Sequence, residues 1–531
     1  MKKAICLFNK RGLLFLFLLG TIISCTNDFN ITPRDDDEFT AEKYYDNPQA
    51  YRMFLAKIYG GLAKAGNGDG DGATDIGGIR ADFSPYIRAF FTVQELPTDE
   101  AVIAWQDGNL PSINTHTWEA NNEFIYAMYS RTYFQIGLVN EFLRQSSPDK
   151  VDSRPVDPAI KAEMAAYRAE AKFLRALSYW HALDLFGNVP IVTESDPVGF
   201  FFPTQNTKEE VFNFIVNQLK EIDVDLKESR TNEYGRVDKV AAKMLLAKMY
   251  LNSKVYITQD KDAEAVLALA PVLASTYKIA NVPYKNLFMA DNDKNGAQEE
   301  FIFPIRYDGL FTTTSGGTSY LVHAAILSSQ TASDFGVNGG WKGLRARREF
   351  VGIFDTTDKR AMFHSTGQTL NIASIADETQ GYAVTKWTNK KSDGTSGSDG
   401  SGTNVDTDFP MFRLADAYLM YAELAVKGQG SKTIAKDYIN KLRTRATAPQ
   451  ITESDLTLDF ILKERSRELF WECQRRTDLI RFGKFSGGTY LWQWKGNAQN
   501  GTSISSHLDV FPIPASSMAA NPNLKQNPFY N

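Results

Sequence analysis

Cysteine and histidine are scarce in this chain, with three and five residues respectively among 531. So few cysteines exclude a disulfide-stapled fold and a structural zinc site built from thiolates. The formal net charge of −5 excludes the basic excess that binding to a nucleic-acid backbone requires. With 43% hydrophobic residues, the chain is not disordered, and it is long enough to bury the core of one large or two ordinary domains.

Catalytic motifs are also missing. The sequence contains no Gly-x-Ser-x-Gly elbow, no phosphate-binding loop, no Gly-x-Gly-x-x-Gly fingerprint and no His-Glu-x-x-His pair. The histidines are scattered singly, and His181 lies in an apolar helical run, which favours a core histidine over a ligand. Glu299 and Glu300 form a carboxylate pair of the type that glycosidases use, but an exposed acidic surface is the preferred interpretation.

The N-terminus has the order of a bacterial lipoprotein leader. Four cations within residues 2–11 precede an apolar run, Leu13–Leu19, which is shorter than the about 20 residues that a membrane-spanning helix needs. Cys25 then follows the small residue Ser24. We predict a signal peptide over residues 1–24 and a lipid on Cys25, with an ordinary secretory leader and an incidental cysteine as the alternative. Removing the four cations with the leader changes the formal net charge from −5 to −9.

Residues 25–39 are predicted to form a tether between the lipid and the folded body. The segment contains Pro33, the acidic run Asp35–Glu38 and few apolar residues, as flexible linkers do. Because Cys6 leaves with the leader, Cys473 remains as a free thiol and no disulfide is possible within the mature chain.

Residues 40–531 are predicted to form a single, mainly α-helical domain. Apolar residues at helical spacing predict a scaffold over about 40–65, 120–280 and 410–485. Small and bulky residues alternate on one face of these helices, as in the helix pairs of tetratricopeptide-like repeats. The strongest helical runs are Tyr126–Leu143, Ile160–Phe186, Lys208–Leu226, Val237–Leu251, Phe412–Val426, Ile434–Arg445 and Leu456–Phe482, and one break within the last run is the alternative to a continuous helix.

A large irregular, loop-rich region is predicted over about 66–119 and 281–410, where glycine and small polar residues are frequent. Phe301–Ile305 and Tyr382–Trp387 are its predicted short strands. Long irregular segments on a rigid scaffold commonly carry function, so we expect the ligand site in this region.

Aromatic residues in polar loops are the most informative feature of this region. The chain has eight tryptophans and 23 tyrosines, and Trp105 and Trp341 lie in loop-like stretches. An exposed indole packs against the C–H face of a sugar, while neighbouring polar groups bond its hydroxyls. Trp105 with Arg88, Gln106 and Asn109 forms such a set. The alternative is that both tryptophans cap the core beneath their loops.

Two short acidic clusters, 291–293 and 406–408, also lie in predicted loops. Their oxygen-rich side chains suit a hard cation such as calcium if the fold brings them together.

Short motifs spread over the mature chain carry a family resemblance. They are Ala169–Leu177, Phe186–Pro190, Gly235–Val237, Glu464–Leu469, Arg475–Gly483, Pro512–Pro514 and Asn521–Pro528. In this order, behind a lipoprotein leader, they resemble the SusD/RagB family of outer-membrane nutrient-binding lipoproteins. The likeness is closest to the starch-binding member, through Glu95–Glu100 with Trp105, Phe288–Asp293 and Asp406–Asp408.

The resemblance implies tetratricopeptide-like helix pairs beneath a loop-rich ligand region. It also implies a non-catalytic glycan-binding lipoprotein, anchored in the outer membrane through Cys25 and exposed at the cell surface. Such a protein captures oligo- or polysaccharide, starch among them, and docks as a lid on a TonB-dependent SusC-like transporter. A peptide-binding lipoprotein of the same type of importer is the alternative, and a surface glycosidase using an acidic pair is a third hypothesis.

The resemblance also assigns site residues by position and includes calcium as a cofactor. The implied glycan contacts are Arg88, Trp105, Asn109 and Trp341, and the implied calcium ligands are Asp293, Asp406 and Asp408.

The chain departs from the starch-binding member at its aromatic arc. Of the three arc positions, Trp341 is aromatic, whereas the other two are Ile103 and Ser315. The asparagine that bonds sugar hydroxyls falls at Gly108 or, with a shift of one residue, at Asn109. The reduced arc weakens the expectation of starch as the ligand but not that of a glycan.

Overall fold

The computed structural model of this protein describes residues 41–68 and 74–530. The signal peptide (1–24), the lipid on Cys25 and the tether (25–39) lie outside the described residues and stay predictions. Across the described part of the chain, no helix is both long enough and apolar enough to cross a membrane.

Helices make up most of the regular secondary structure. The α-helices are α1 (Ala41–Tyr45), α2 (Ala50–Gly60), α3 (Tyr86–Gln94), α4 (Pro111–Thr115), α5 (Glu123–Gln145), α6 (Pro148–Ser153), α7 (Pro158–Ala162), α8 (Met164–Phe186), α9 (Lys208–Glu221), α10 (Lys239–Leu251), α11 (Ser253–Ile257), α12 (Asp262–Leu273), α13 (Gly317–His323), α14 (Arg348–Val351), α15 (Leu414–Val426), α16 (Lys432–Arg445), α17 (Leu458–Leu469), α18 (Arg475–Arg481) and α19 (Ala515–Ala520). Short 3-10 helices cover Ile222–Val224, Tyr284–Phe288, Ala297–Glu299, Ala332–Phe335, Glu453–Asp455, Lys495–Asn497 and Ser506–Asp509. In segment 281–410, α13 and α14 are the α-helices and both are short, so this part of the predicted loop-rich region is irregular, whereas segment 66–119 also contains α3.

The long helices pack side by side in chain order. Helix α8 contacts α5 on one side and α9 on the other, and the series continues through α10 and α12 to α15, α16 and α17. On α8, alanines alternate with Phe173, Leu177 and Trp180, all buried, so small residues admit a neighbouring helix where large ones fill the gaps. Hydrophobic contacts run through one core from Tyr45 to Leu524. The predicted mainly α fold of tetratricopeptide-like helix pairs is confirmed.

Local signals in the sequence fix the ends of these helices. Asn122 caps the start of helix α5, because its side-chain oxygen accepts hydrogen bonds from two backbone N–H groups of the first turn. Helix α9 begins with a capping box between Thr207 and Glu210. Gly187 follows the last residue of helix α8, and its φ of +75° favours glycine.

Strands are few and short, and they pair in twos. They are β1 (Val102–Ile103), β2 (Val189–Pro190), β3 (Gln205–Asn206), β4 (Phe301–Ile305), β5 (Leu344–Arg345), β6 (Phe363–His364), β7 (Ala383–Val384) and β8 (Phe409–Arg413). The antiparallel pairs are β1–β5, β2–β3, β4–β8 and β6–β7. The predicted strand 301–305 is confirmed as β4, whereas the predicted strand 382–387 is reduced to β7.

Two predicted helices are divided. The helix predicted over 160–186 is interrupted at Glu163, between α7 and α8. The helix predicted over 456–482 is broken between α17 and α18, where Trp471 and Cys473 have positive φ values of 59° and 61°. The single break in 456–482 agrees with the alternative given for that run. Helical periodicity of the apolar residues continues across Glu163, so the pattern alone does not reveal the break there.

The predictions for Phe412 and Glu300 were wrong. Phe412 belongs to β8 and not to the following helix, because the chain is extended until Arg413 and α15 begins at Leu414. Glu300 is fully buried and not on the surface, and its carboxylate accepts a hydrogen bond from Arg413 (2.9 Å) and one from Arg445. Its neighbour Glu299 is paired with Arg230.

Glu300 and Arg413 belong to a group of buried charges that we call the ion cluster. Arg413 contacts the carboxylates of Glu468 (2.7 Å) and Glu472 (2.7 Å) as well as that of Glu300. Burial opposes ionisation of Glu468, but Arg445, Arg413 and Arg360 lower its pKa to about 2. The ion cluster comprises Asp358, Arg360, Lys386, Glu300, Arg413, Arg443, Arg445, Glu464, Glu468 and Glu472.

His181 lies in the core as predicted. It is fully buried, its Nδ1 lies 2.7 Å from the Tyr86 hydroxyl, and its ring stacks on Phe90 at 4.0 Å. Burial lowers the pKa of His181 to about 3, so the ring is neutral at physiological pH.

Candidate functional site

A cleft of about 330 Å³ opens where the loop-rich region meets the start of α5. Arg88 on α3, Trp105 after β1 and Trp341 before β5 line it, so three of the four predicted glycan contacts lie together. Ser315 lines the same cleft, whereas Ile103 is buried in β1. Of the two arc positions that lost an aromatic residue, one therefore still faces the cleft.

The antiparallel pair β1–β5 brings the two tryptophans together. Beyond the pair, Ala104 donates a backbone hydrogen bond to Gly343 (2.9 Å), and the Trp105 indole Nε1 donates to the Trp341 carbonyl (2.9 Å). The two rings lie 6.4 Å apart with an angle of 42° between their planes. A Cβ atom at position 343 would lie 2.7 Å from the Trp105 ring, so this close approach requires glycine.

The Trp341 ring is supported from behind. It stacks on His323 with ring centres 4.7 Å apart and planes 15° from parallel. The His323 ring nitrogens contact the carbonyl oxygens of Gly339 (2.6 Å) and Thr403 (3.0 Å), which fixes the imidazole. Trp341 therefore has one packed face and remains half-exposed at the cleft, the arrangement that stacking on a ligand needs.

Arg88 lies in the wall of the cleft and is 9% exposed. Its NH1 donates hydrogen bonds to the carbonyl oxygens of Asp82 (2.6 Å) and Ser315 (3.3 Å). The guanidinium lies over the Tyr320 ring at 4.6 Å and near the Trp105 ring at 5.5 Å. Arg88 thus ties three walls of the cleft together and holds the Trp105 ring in place.

Asn109 lies beside the cleft and organises the turn that follows Trp105. Its side-chain oxygen accepts a hydrogen bond from the Glu123 backbone N–H (3.1 Å), and its Nδ2 donates to the Asn121 carbonyl (3.2 Å). Gly108 has a positive φ of 48°, and a Cβ there would lie 1.9 Å from a Glu123 carboxylate oxygen. Because its amide is engaged in the fold, a direct sugar contact by Asn109 stays a prediction.

Asp107 and Glu123 also line the cleft, and sequence reasoning missed both. Neither carboxylate accepts a hydrogen bond from a described residue, so both are open to sugar hydroxyl donors. The available signal for Asp107 was its position two residues after Trp105. Glu123 is distant in the sequence, and only the packing of α5 against the turn brings it to the cleft.

The three predicted calcium ligands do not form a group that could hold a metal ion, although Asp293 lies near enough to Asp408 for its charge to raise the pKa of that carboxyl. Asp406 accepts hydrogen bonds from the Gly309 N–H (2.7 Å) and from Ser398, and Asp408 accepts them from the Tyr307 N–H (2.7 Å) and the Tyr234 hydroxyl (2.9 Å). In the described part of the chain, no group of three or more metal-binding side chains occurs. Burial raises the pKa of Asp408 to about 7.

This arrangement does not fit a calcium ion, because N–H and O–H donors already occupy the carboxylate oxygens of Asp406 and Asp408. Calcium stays a prediction of the family resemblance, which metal analysis of the purified protein can test.

A buried acidic pair, Glu95 and Glu100, lies on the segment between α3 and β1. Glu100 accepts a hydrogen bond from Ser466 (2.6 Å), and Glu95 accepts one from the Gln474 N–H (3.1 Å). Burial raises the pKa of Glu100 to about 7, and burial together with Glu100 raises the pKa of Glu95 well above its usual range. The pair therefore carries a proton at neutral pH in the folded protein.

Replacing Glu95 with glutamine should remove part of the pH dependence of stability. Glutamates in the unfolded chain have a pKa of about 4.3. The stability that the protonated pair contributes is therefore complete below that pH and is lost as the pH rises through about 7. As the pH rises from about 5 to about 8, the unfolding free energy of Glu95→Gln should increase by at least about 1 kcal/mol relative to that of the wild type. Denaturant unfolding at both pH values measures this, with the exposed Glu119→Gln as control. Parallel stability curves for wild type and Glu95→Gln would contradict the assignment.

Comparison with known proteins agrees with this architecture. Residues 354–530 match the family model described as "SusD family", and residues 88–251 match the one described as "Starch-binding associating with outer membrane". A SusD superfamily protein from Parabacteroides distasonis superposes with a TM-score of 0.69 at 21% identity, over 91% of this chain and 99% of its own. Surface glycan-binding protein A from Bacteroides thetaiotaomicron, solved with laminarihexaose, superposes with a TM-score of 0.66 at 21% identity, over 90% of this chain and 99% of its own.

These solved structures share the fold of this chain over nearly their whole length. At the level of sequence, starch-binding protein SusD from Bacteroides thetaiotaomicron is 33% identical over 97% of this chain and 98% of its own length. The chain belongs to the SusD family.

Proposed function

We propose that this protein captures oligo- or polysaccharide at the cleft and delivers it to a SusC-like TonB-dependent transporter. The lipid predicted on Cys25 holds it in the outer membrane, with the cleft exposed at the cell surface. The observation that carries the proposal is the half-exposed Trp341, stacked on His323 behind and lining the cleft beside Trp105.

The cleft combines the two kinds of contact that sugars need. The indole rings offer apolar faces to the C–H groups, and the open carboxylates of Asp107 and Glu123 offer acceptors to the hydroxyls. The relative that is 33% identical is named a starch-binding protein, which supports a glycan and makes a starch-like glucan the first candidate. Ile103 is buried and Ser315 is not aromatic, so the arc is smaller than the family resemblance implies.

We infer that the protein does not hydrolyse what it binds. The glycosidase hypothesis used the carboxylate pair Glu299 and Glu300. Glu299 is paired with Arg230, and Glu300 is held within the ion cluster. The names of the relatives describe binding and not catalysis.

Retention on immobilised polysaccharides tests the proposal. We expect the purified mature protein to be retarded in gels that contain starch or another neutral polysaccharide, without release of reducing sugar. Retardation by none of a broad polysaccharide panel, together with oligopeptide binding in calorimetry, would replace it with the peptide-binding alternative. Release of reducing sugar would restore the glycosidase hypothesis.

A further inference from the structure

A second concavity lies next to the cleft, and we call it the Phe311 groove. Its volume is about 370 Å³, similar to that of the cleft. Its floor is apolar, with Leu55, Phe303 and Ile305 all buried. At its mouth, Phe311 is 78% exposed. Pockets of this size with an apolar floor and a few polar groups are typical ligand sites.

The exposed Phe311 is held on an ordered turn. A carboxylate oxygen of Asp308 accepts hydrogen bonds from the Leu310 N–H (2.9 Å) and the Phe311 N–H (3.2 Å). Asp406 fixes the same turn through the Gly309 N–H (2.7 Å). The phenyl ring therefore stands in solvent on a backbone that is already organised, so a ligand that stacks on it need not order the turn.

The polar groups of the groove suit hydroxyl recognition. Arg306 is exposed, its guanidinium lies over the Tyr234 ring at 5.9 Å, and it makes no hydrogen bond or ion pair with a described residue. Across the groove, Glu233 is 59% exposed and bonds to Arg52 (3.0 Å). An arginine and a carboxylate beside an exposed ring repeat the composition of the first cleft.

The groove and the cleft lie close together along one segment of the chain. Phe311 and Thr312 line the groove, and three residues later Ser315 lines the cleft, so Phe311 and Ser315 are at most about 14 Å apart along the chain. A glycan chain that extends from the cleft past Ser315 therefore has only a short distance to cover before it reaches Phe311.

We propose that the Phe311 groove is a second subsite that binds further sugar units of the same glycan chain. The inference rests on the proposed function. It assigns stacking to Phe311 and hydroxyl bonding to Arg306, and it predicts that the protein distinguishes long chains from short ones.

Calorimetric titration with maltotriose and maltoheptaose tests the subsite. The wild type should bind maltoheptaose more tightly, because the longer probe reaches both the cleft and the groove. Phe311→Ala and Arg306→Ala should each weaken maltoheptaose binding about tenfold and leave maltotriose binding unchanged. Leu310→Ala is the matched control, since Leu310 is 58% exposed on the same turn but does not line the groove.

The outcomes separate this inference from the proposed function. If maltoheptaose binds equally well to the wild type and to both groove variants, the second subsite does not exist, although the cleft still binds glycan. If the wild type binds neither probe, the starch-like form of the proposed function fails and the inference fails with it. Weakened binding of both probes by Phe311→Ala would place Phe311 in the first site and overturn the inference.

Discussion

Replacing Trp341 with alanine should lower the affinity for glycan at least about tenfold and abolish retention on the polysaccharide that the wild type binds. A stacked aromatic contact contributes about 0.5–1.5 kcal/mol beyond the area that it buries, and each 1.4 kcal/mol is about tenfold in affinity. The loss is large because few aromatic rings remain in the arc, where Ile103 and Ser315 stand at the other positions. Affinity gels and calorimetry measure it.

Trp105→Ala should also abolish retention, because it removes an aromatic face and also weakens the wall of the cleft. The Trp105 indole donates a hydrogen bond to the Trp341 carbonyl and lies near the Arg88 guanidinium, so its loss also loosens the wall of the cleft. We therefore expect a lower melting temperature for Trp105→Ala than for Trp341→Ala.

Phe200→Ala is the control for both tryptophan variants. Phe200 is 86% exposed and does not line the cleft, so binding should remain at the wild-type level. Unchanged binding in both tryptophan variants would remove these residues from the site and direct the search to the Phe311 groove.

The helical scaffold was accessible to sequence reasoning because its signals are local. Alternating small and bulky residues on α8 and the stop at Gly187 lie within one helix and its cap. Phe412 was assigned wrongly because its environment is not local. It lies in β8 opposite β4, a strand more than 100 residues earlier in the chain, and no periodicity within its own segment records that pairing.

Part of the candidate site could also be predicted from local signals in the sequence. Trp105 and Trp341 stand out because an indole in a polar loop is unusual, whereas Glu123 is an ordinary first-turn residue of α5 until the fold places it at the cleft. Asn109 shows the opposite case. Its residue type suits sugar binding, but its amide is engaged with the start of α5. Residue type indicates what a side chain can bind, but it does not reveal which groups the fold itself uses.

The family motif on α17 has a structural explanation in the ion cluster. Glu464 and Glu468 lie one helical turn apart, both fully buried, and both contact Arg360 (2.9 and 3.1 Å). Arg413, at the end of β8, bonds to Glu468 and Glu472 and so joins the loop-rich region to the last helices of the scaffold. Buried charges of this kind persist only when every partner is present.

Replacing Arg413 with methionine should therefore cost about 3–5 kcal/mol of unfolding free energy. The change leaves the carboxylates of Glu300, Glu468 and Glu472 short of a shared partner in a dry environment. Urea unfolding at neutral pH measures the loss. If the methionine variant does not accumulate, Arg413→Lys keeps the charge but not the forked geometry and should show a smaller loss.

Lys239→Met provides the matched control, because Lys239 pairs with Glu228 at the surface, where the two side chains are 28% and 73% exposed. Breaking such a pair should cost no more than about 1 kcal/mol.

The pH dependence of the unfolding free energy gives a second readout. Arginine partners hold the pKa of Glu468 at about 2, so its contribution is present above the usual glutamate range and is lost as the pH falls toward 2. The difference in unfolding free energy between the wild type and Arg413→Met should therefore decrease as the pH falls toward 2. If this difference is as small at neutral pH as it is at low pH, the ion cluster does not stabilise the fold.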